Sequence, residues 1–151
     1  MALMRAMPSD ASNEEQLVAA RRVFEEAAFV SDIGMRLVDI GAGWCESELL
    51  VMPRHYQFEG FVHAGVQATM SDHTSGTAAT TLVDQQHYVL SAEFKINLLR
   101  AAQGEKLQCH AKVLKAGRTL VIVEAEVFSI DSGATSLAAK AMVTLVVLAK
   151  K

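Results

Sequence analysis

One carboxylate stands out for its surroundings. Residues 64–83 are almost all small, among them Ala64, Gly65, Ala68, Ser71, Ser75 and Gly76, and Asp72 is the single Asp, Glu, Lys or Arg in the span. A surface helix would carry a charged face, so such a span suits a helix buried with other backbone packed close around it. A carboxylate there is costly unless it is hydrogen-bonded or used. Asp72 is therefore either a structural acid bonded to a nearby Ser or Thr, or a reactive group. The start of the same helix offers a second element of chemistry. The first-turn N–H groups of Ala64 and Gly65 lack intrahelical acceptors, and together with the positive helix end they can stabilise an oxyanion. His63 enters that helix either as a capping or packing residue that orients the loop, the favoured reading, or as a catalytic group that transfers a proton. Gln57, six positions before His63, carries an amide able to polarise a carbonyl or hold a water, and is otherwise an ordinary loop glutamine.

These groups need elements to position them. An amphipathic helix is predicted from Asn13 to about Phe29: Ser12 or Asn13 can cap it, and Leu17, Ala20, Phe24 and Ala27 recur at helical spacing. Strands are predicted at Met35 to Ile40 and Trp44 to Met52 around the turn Gly41-Ala42-Gly43, then from Val89 onward, Lys106 to Lys115, Thr119 to Asp131 and Thr135 to Leu148. In the Val89 strand, strict alternation puts Leu90, Phe94 and Ile96 on one face and Ser91, Glu93 and Lys95 on the other. Half the chain is thus antiparallel sheet, and the small-residue helix lies where that sheet must wrap it.

Composition narrows the possibilities further. The 151 residues, 51% hydrophobic and 21% charged, fit one globular domain with a core large enough to need no staples. The domain is expected over residues 13–151, with a flexible tail at 1–12. The longest apolar run, Ala141 to Ala149, is about half a membrane span, and the N-terminus lacks a signal-peptide core, so a cytoplasmic protein without membrane contact is expected. Cys45 and Cys109 have no ligand spacing and read as reduced core thiols. The histidines lack the i, i+4 pairing of a zinc helix, so neither a metal nor another cofactor is expected. His73 points away from Asp72 around the helix and reads as packing; His55, His87 and His110 are given no role. The net charge of −3 conceals an uneven distribution: residues 1–94 hold five Lys/Arg against thirteen Asp/Glu, whereas residues 95–118 hold six against one. An acidic pI of about 5.9, 6% aromatics and no recognition motif argue against nucleic acid.

The segment Gln57-Phe58-Glu59-Gly60-Phe61-Val62-His63-Ala64-Gly65-Val66, with Asp72 nine residues beyond His63, resembles the phenylacetic-acid-degradation type of hotdog acyl-CoA thioesterase. Ser91 to Arg100 and Ala116-Gly117-Arg118-Thr119 are similar to that family's strands and turn, and the resemblance covers roughly residues 30–149. It implies an α+β hotdog fold, an antiparallel sheet wrapped around one long central helix with a further N-terminal helix. It also implies hydrolysis of an acyl-CoA thioester, with coenzyme A entering only as part of the substrate. Asp72 would be general base or nucleophile, Gln57 and the Ala64 and Gly65 amides would polarise the carbonyl, and Ser91 would support the attacking water. Ala64 departs from the family's first glycine and would be strained if that position needed a positive φ. A hotdog dehydratase, suggested by His55, and a non-catalytic acyl-CoA-binding module are the rival readings.

Two expectations follow for partners. Gly65 and Asp72 are seven residues apart, roughly 10 Å along a helix, too far for one subunit to bring both to one carbonyl. Two central helices lying antiparallel would solve this, so a homodimer or homotetramer with composite sites is expected. Coenzyme A is polyanionic, and Arg100, Lys115, Gly117 and Arg118 are expected to border the site and meet its phosphates, with Lys106 and Lys112 read as solvated surface cations.

Overall fold

The computed structural model describes residues 10–151. Of the tail expected at 1–12, residues 1–9 lie outside the described residues. Helix α1 (Asp10–Glu25) begins upstream of Ser12 and Asn13, so these lie inside the helix instead of capping it. The single N-terminal helix expected to run to Phe29 is two. The chain turns extended at Ala27 (φ −77°, ψ 101°) before α2 (Ala28–Asp32), and the turn lets both Phe24 and Val30 reach the core. Strands β1 (Met35–Gly41) and β2 (Trp44–Leu50) follow, then α3 (Ala64–Thr80), β3 (His87–Leu98), β4 (Lys106–Ala116), β5 (Leu120–Asp131) and β6 (Ala134–Ala149).

The six strands form one sheet in the order β1-β2-β4-β5-β6-β3, with every neighbouring pair antiparallel. Alternation puts one face of each strand against α3. Register aligns Cys45, Ala111, Ala125 and Ala141 in a row across β2, β4, β5 and β6, and all four are buried. Small side chains on the sheet meet small side chains on α3, so the helix backbone approaches closely. Larger residues, Leu49, Met70, Leu107 and Leu145, close the core around that contact. The hydroxyls that α3 carries inward are satisfied mostly by its own backbone: Ser71 Oγ donates to Gln67 O at 2.9 Å and Thr77 Oγ1 to His73 O at 2.9 Å. Thr74 instead shares a 2.7 Å hydrogen bond with Ser47 of β2. This is the expected hotdog architecture, and among the described residues no helix is long and apolar enough to cross a membrane.

Strand β3 departs from strict alternation. Its register on β6 slips between Ser91 and Glu93, so Ser91 opposes Leu145, while Glu93 opposes Thr144 and Phe94 opposes Val143. Leu145 and Val143 are both buried against the helix. The extra residue at Ala92 is a β-bulge, and it turns Ser91 to the same face as Phe94, with Leu90 on the opposite face. The expectation that Ser91 faces away from Phe94 is thereby corrected.

Candidate active site

The bulge aims Ser91 at α3. Ser91 Oγ donates to Asp72 Oδ1 at 2.5 Å, a short hydrogen bond to an ionised acceptor. Both residues line a cavity of about 690 Å³ between α1, α3 and β3, whose walls include Ala19 and Val23 of α1, Gly76 of α3 and Val89 of β3. Next to Asp72, His73 turns toward α1: its Nε2 lies 3.3 Å from Phe24 O and its ring packs against Phe24, tilted by 56° with centroids 4.8 Å apart. Burial pushes the His73 pKa down, against the opposing pull of the Phe24 carbonyl and the Asp72 charge. It is a packing histidine, as its direction on the helix predicts.

At the other end of the motif, His63 is the N-cap of α3, and its Nδ1 accepts the Gly65 N–H at 2.8 Å. That bond divides the two expected oxyanion donors. Gly65 N–H is engaged within its own turn, which leaves Ala64 N–H, the first of the helix, facing outward. Ala64 is not among the residues with positive φ, so alanine stands there without the strain that a left-handed conformation would impose. Gln57 lies in the preceding turn, pinned by Gln57 N–H to Phe61 O at 2.8 Å and Gly60 N–H to Gln57 O at 3.1 Å. Its Oε1 accepts the Glu59 N–H, so its amide NH2 is the end left for other partners. His55 is buried with both ring nitrogens bonded: Nδ1 accepts from Met52 N–H at 2.9 Å and Nε2 lies 2.7 Å from Ile33 O. Neither nitrogen is left to move a proton for a substrate, which removes the basis of the dehydratase reading.

Helix α3 is unbroken from Ala64 to Thr80, so the roughly 10 Å between its start and Asp72 stands within one chain. The structure therefore brings Asp72 and Ser91 together, and His63, Ala64 and Gly65 together, as two separate groups. The cations do not gather beside either. Lys115 pairs with Ile122 and Lys112 with Glu124 on the sheet face turned away from α3; Lys106 bonds Glu48 there at 3.1 Å. Arg100 follows β3, its N–H bonded to Ala138 O at 3.1 Å, two residues before Ala102, whose carbonyl accepts the Val62 N–H beside the α3 start. Gly117 and Arg118 sit at the β4–β5 turn next to Leu82 and Val83, just past the other end of α3. The expected common border is thus split across the length of the helix, because the cationic residues alternate along strands and turns that end at opposite poles.

Sequence reasoning missed the α1 wall of the cavity and Gly76, which lines it one turn beyond Asp72. A signal was there in the Ala19, Val23, Ala27 row at i, i+4 spacing and in a glycine four residues after the acid. Cys45 and Cys109 are free and buried, with burial pushing the Cys109 thiol up to about 12. Among the described residues no three His, Cys, Asp or Glu side chains are placed to hold a metal ion.

Known proteins share this fold. A thioesterase family protein from Silicibacter pomeroyi is 29% identical, with a TM-score of 0.85 over 91% of this chain and 99% of its own. The PaaI protein of the E. coli phenylacetic acid degradation operon, 14% identical, superposes with a TM-score of 0.81 over 93% of this chain and 98% of its own. In sequence, a 1,4-dihydroxy-2-naphthoyl-CoA hydrolase of Listeria monocytogenes is 22% identical over 95 residues, 63% of this chain and 77% of that protein. The family model of the thioesterase superfamily matches residues 59–136, a stretch that holds the α3 start, Asp72 and Ser91. By this match and by its fold, the chain belongs to the thioesterase superfamily and is a thioester hydrolase.

Proposed function

We propose that the substrate is an acyl-CoA thioester and that Asp72 is the general base that activates water at its carbonyl. The observation that carries this reading is the 2.5 Å bond from Ser91 to Asp72 Oδ1 at the wall of a cavity large enough for an acyl group. With Oδ1 held by the hydroxyl, Oδ2 is left to take a proton from a water attacking the carbonyl carbon. The tetrahedral oxyanion is then received by an Ala64 N–H, with the Gln57 amide NH2 beside it. Collapse of that intermediate breaks the C–S bond, the proton taken up by Asp72 passes to the departing thiolate, and coenzyme A thiol and the free acid are released with the carboxylate restored. No metal or redox group enters this sequence of steps.

The distance along α3 supports a composite site. An antiparallel pair of α3 helices in a homodimer would set the Ala64 of each subunit against the Asp72 of the other, giving two equivalent sites. The long edge strand β3, without a strand partner on its outer side among the described residues, would lie next to such a contact. The relative that hydrolyses a naphthoyl-CoA supports coenzyme A as the thiol carrier. Replacing Asp72 with Asn keeps shape and removes the base, so kcat should fall by about 10²- to 10⁴-fold while acyl-CoA binding and assembly persist. Wild-type turnover in Asp72→Asn would overturn the assignment, and binding without any turnover by the wild type would favour a non-catalytic module.

A further inference from the structure

Within its own chain Gly76 has no steric need to be glycine. It lies in the interior of α3, and its φ is not positive. A Cβ built on it meets nothing nearer than Leu145 Cδ2, at 3.8 Å, an ordinary contact. Gly65 differs, since its Cβ would stand 3.0 Å from His63 Nδ1. Alanine is the better helix residue at a position such as 76, because glycine loses more backbone freedom on folding. What a side chain there would do is enter the cavity. Gly76 is at i+4 from Asp72, hence on the same helix face, and both line the same space.

That space has a direction. It follows α3 from Asp72 past Gly76 to Thr80, about 12 Å along the helix axis, with Ala19 and Val23 on one side and Val89 and Leu145 on the other. Apolar side chains stand beside Gly76, while the polar lining includes the exposed Arg22–Glu26 pair of α1 and the groups at the far end. There His87 Nδ1 meets Asp84 Oδ1 at 2.7 Å, and Lys150 shares the rim. We infer that this groove holds the acyl group of the substrate, that Gly76 sets its width beside the reacting carbonyl, and that the acyl class it takes is apolar and of medium length. The inference rests on Asp72 acting at the carbonyl, as proposed above. An acetyl group would leave the apolar walls in contact with water. A long chain would run past Thr80 to the exposed Asp84–His87 pair, where further methylenes find no apolar wall to bury against and gain nothing.

The test is steady-state thiol release from acetyl-, octanoyl- and palmitoyl-CoA by the wild type, Gly76→Ala and Gly76→Leu, with a melting temperature for each. The wild type should prefer octanoyl-CoA over both others. The octanoyl-to-acetyl ratio of kcat/KM should fall by roughly 10-fold or more in Gly76→Leu and by a smaller factor in Gly76→Ala, the range that misfit methylenes produce in a pocket. Gly76→Ala should also melt at a higher temperature. An unchanged ratio in the folded variants, or a wild-type preference for acetyl- or palmitoyl-CoA, overturns the inference. If Gly76→Leu does not fold, Gly76→Ala, whose methyl the cavity admits, decides alone. Asp72→Asn measured alongside separates the two claims: loss of turnover there with an unchanged ratio in the Gly76 variants refutes the groove only, whereas retained turnover refutes the site itself.

Discussion

Replacing Ala64 with proline removes one hydrogen-bond donor and little else. Ala64 is the first helical residue after its N-cap, where the N–H has no partner inside the helix and proline's fixed φ is already helical. The residue before a proline must be extended, and His63 already stands at φ −58°, ψ 138°. The 2.8 Å bond from Gly65 N–H to His63 Nδ1 involves neither atom that changes. The fold should therefore survive with a melting temperature near that of the wild type. If Ala64 N–H receives the oxyanion, its loss should lower kcat by about 10²- to 10³-fold, or ~2.7–4 kcal/mol of transition-state stabilisation. The loss should fall on kcat with KM little changed, since the oxyanion exists only on the way through the reaction. A thiol-release assay reads both constants. Co-expression with Asp72→Asn adds a check on the composite site: half the dimers would be mixed, each with one intact site of two, so about a quarter of wild-type activity should return. A folded Ala64→Pro variant with kcat within about twofold of wild type would refute the oxyanion assignment. Absence of any recovery in the mixed dimers would refute the sharing of sites between subunits.

Two further outcomes are expected. Ser91→Ala removes a hydrogen bond to a carboxylate, and if that bond holds Asp72 in its working rotamer, kcat should fall by roughly 10- to 100-fold, the equivalent of about 1.5–3 kcal/mol; full activity would show that Ser91 is not a positioning residue. His73 is depressed below its ordinary value of 6.5 by burial, so the unfolded chain takes up its proton first as pH falls. Its contribution to stability is complete above about pH 6.5 and is lost below it, so the melting temperature should drop between about pH 7.5 and 5.5 less in His73→Gln than in the wild type. Equal drops would show that the titration lies elsewhere.

Residue pattern alone carries the sheet and the buried helix, because both are written in local periodicity: alternating apolar residues at Leu107 to Val113 and Val121 to Val127, and an uncharged small-residue span around Asp72. The pairing of Ser91 with Asp72 is less accessible. Counting by twos along β3 puts Ser91 on the wrong face, and only the slip of register against β6, fixed by neighbours fifty residues away in sequence, corrects it. The engagement of Gly65 by His63 is a matter of rotamer and cap geometry, which residue types do not specify. The break after Glu25 has no proline or glycine to announce it and exists because Phe24 and Val30 must both be buried. Charge summed over a segment ignores which face of a strand each side chain occupies, as Lys115 demonstrates.

The hydroxyls of α3 have one more consequence, which concerns how firmly the two halves of the sheet are bolted to the helix. On the β1–β2 side two buried bonds tie the layers together, Ser47 to Thr74 at 2.7 Å and Gly43 N–H to Thr81 Oγ1 at 2.7 Å. On the β3 side, among the described residues, the side-chain bond to α3 is the Ser91–Asp72 link itself, while Thr69, Ser71, Thr77 and Thr80 turn back on their own helix. The fold is thus riveted at one flank and latched at the other. On the proposed reading of Asp72, the contact that fastens the sheet edge to α3 is also the one that presents the base, so a change that loosens that flank would act on the reaction as well as on the fold.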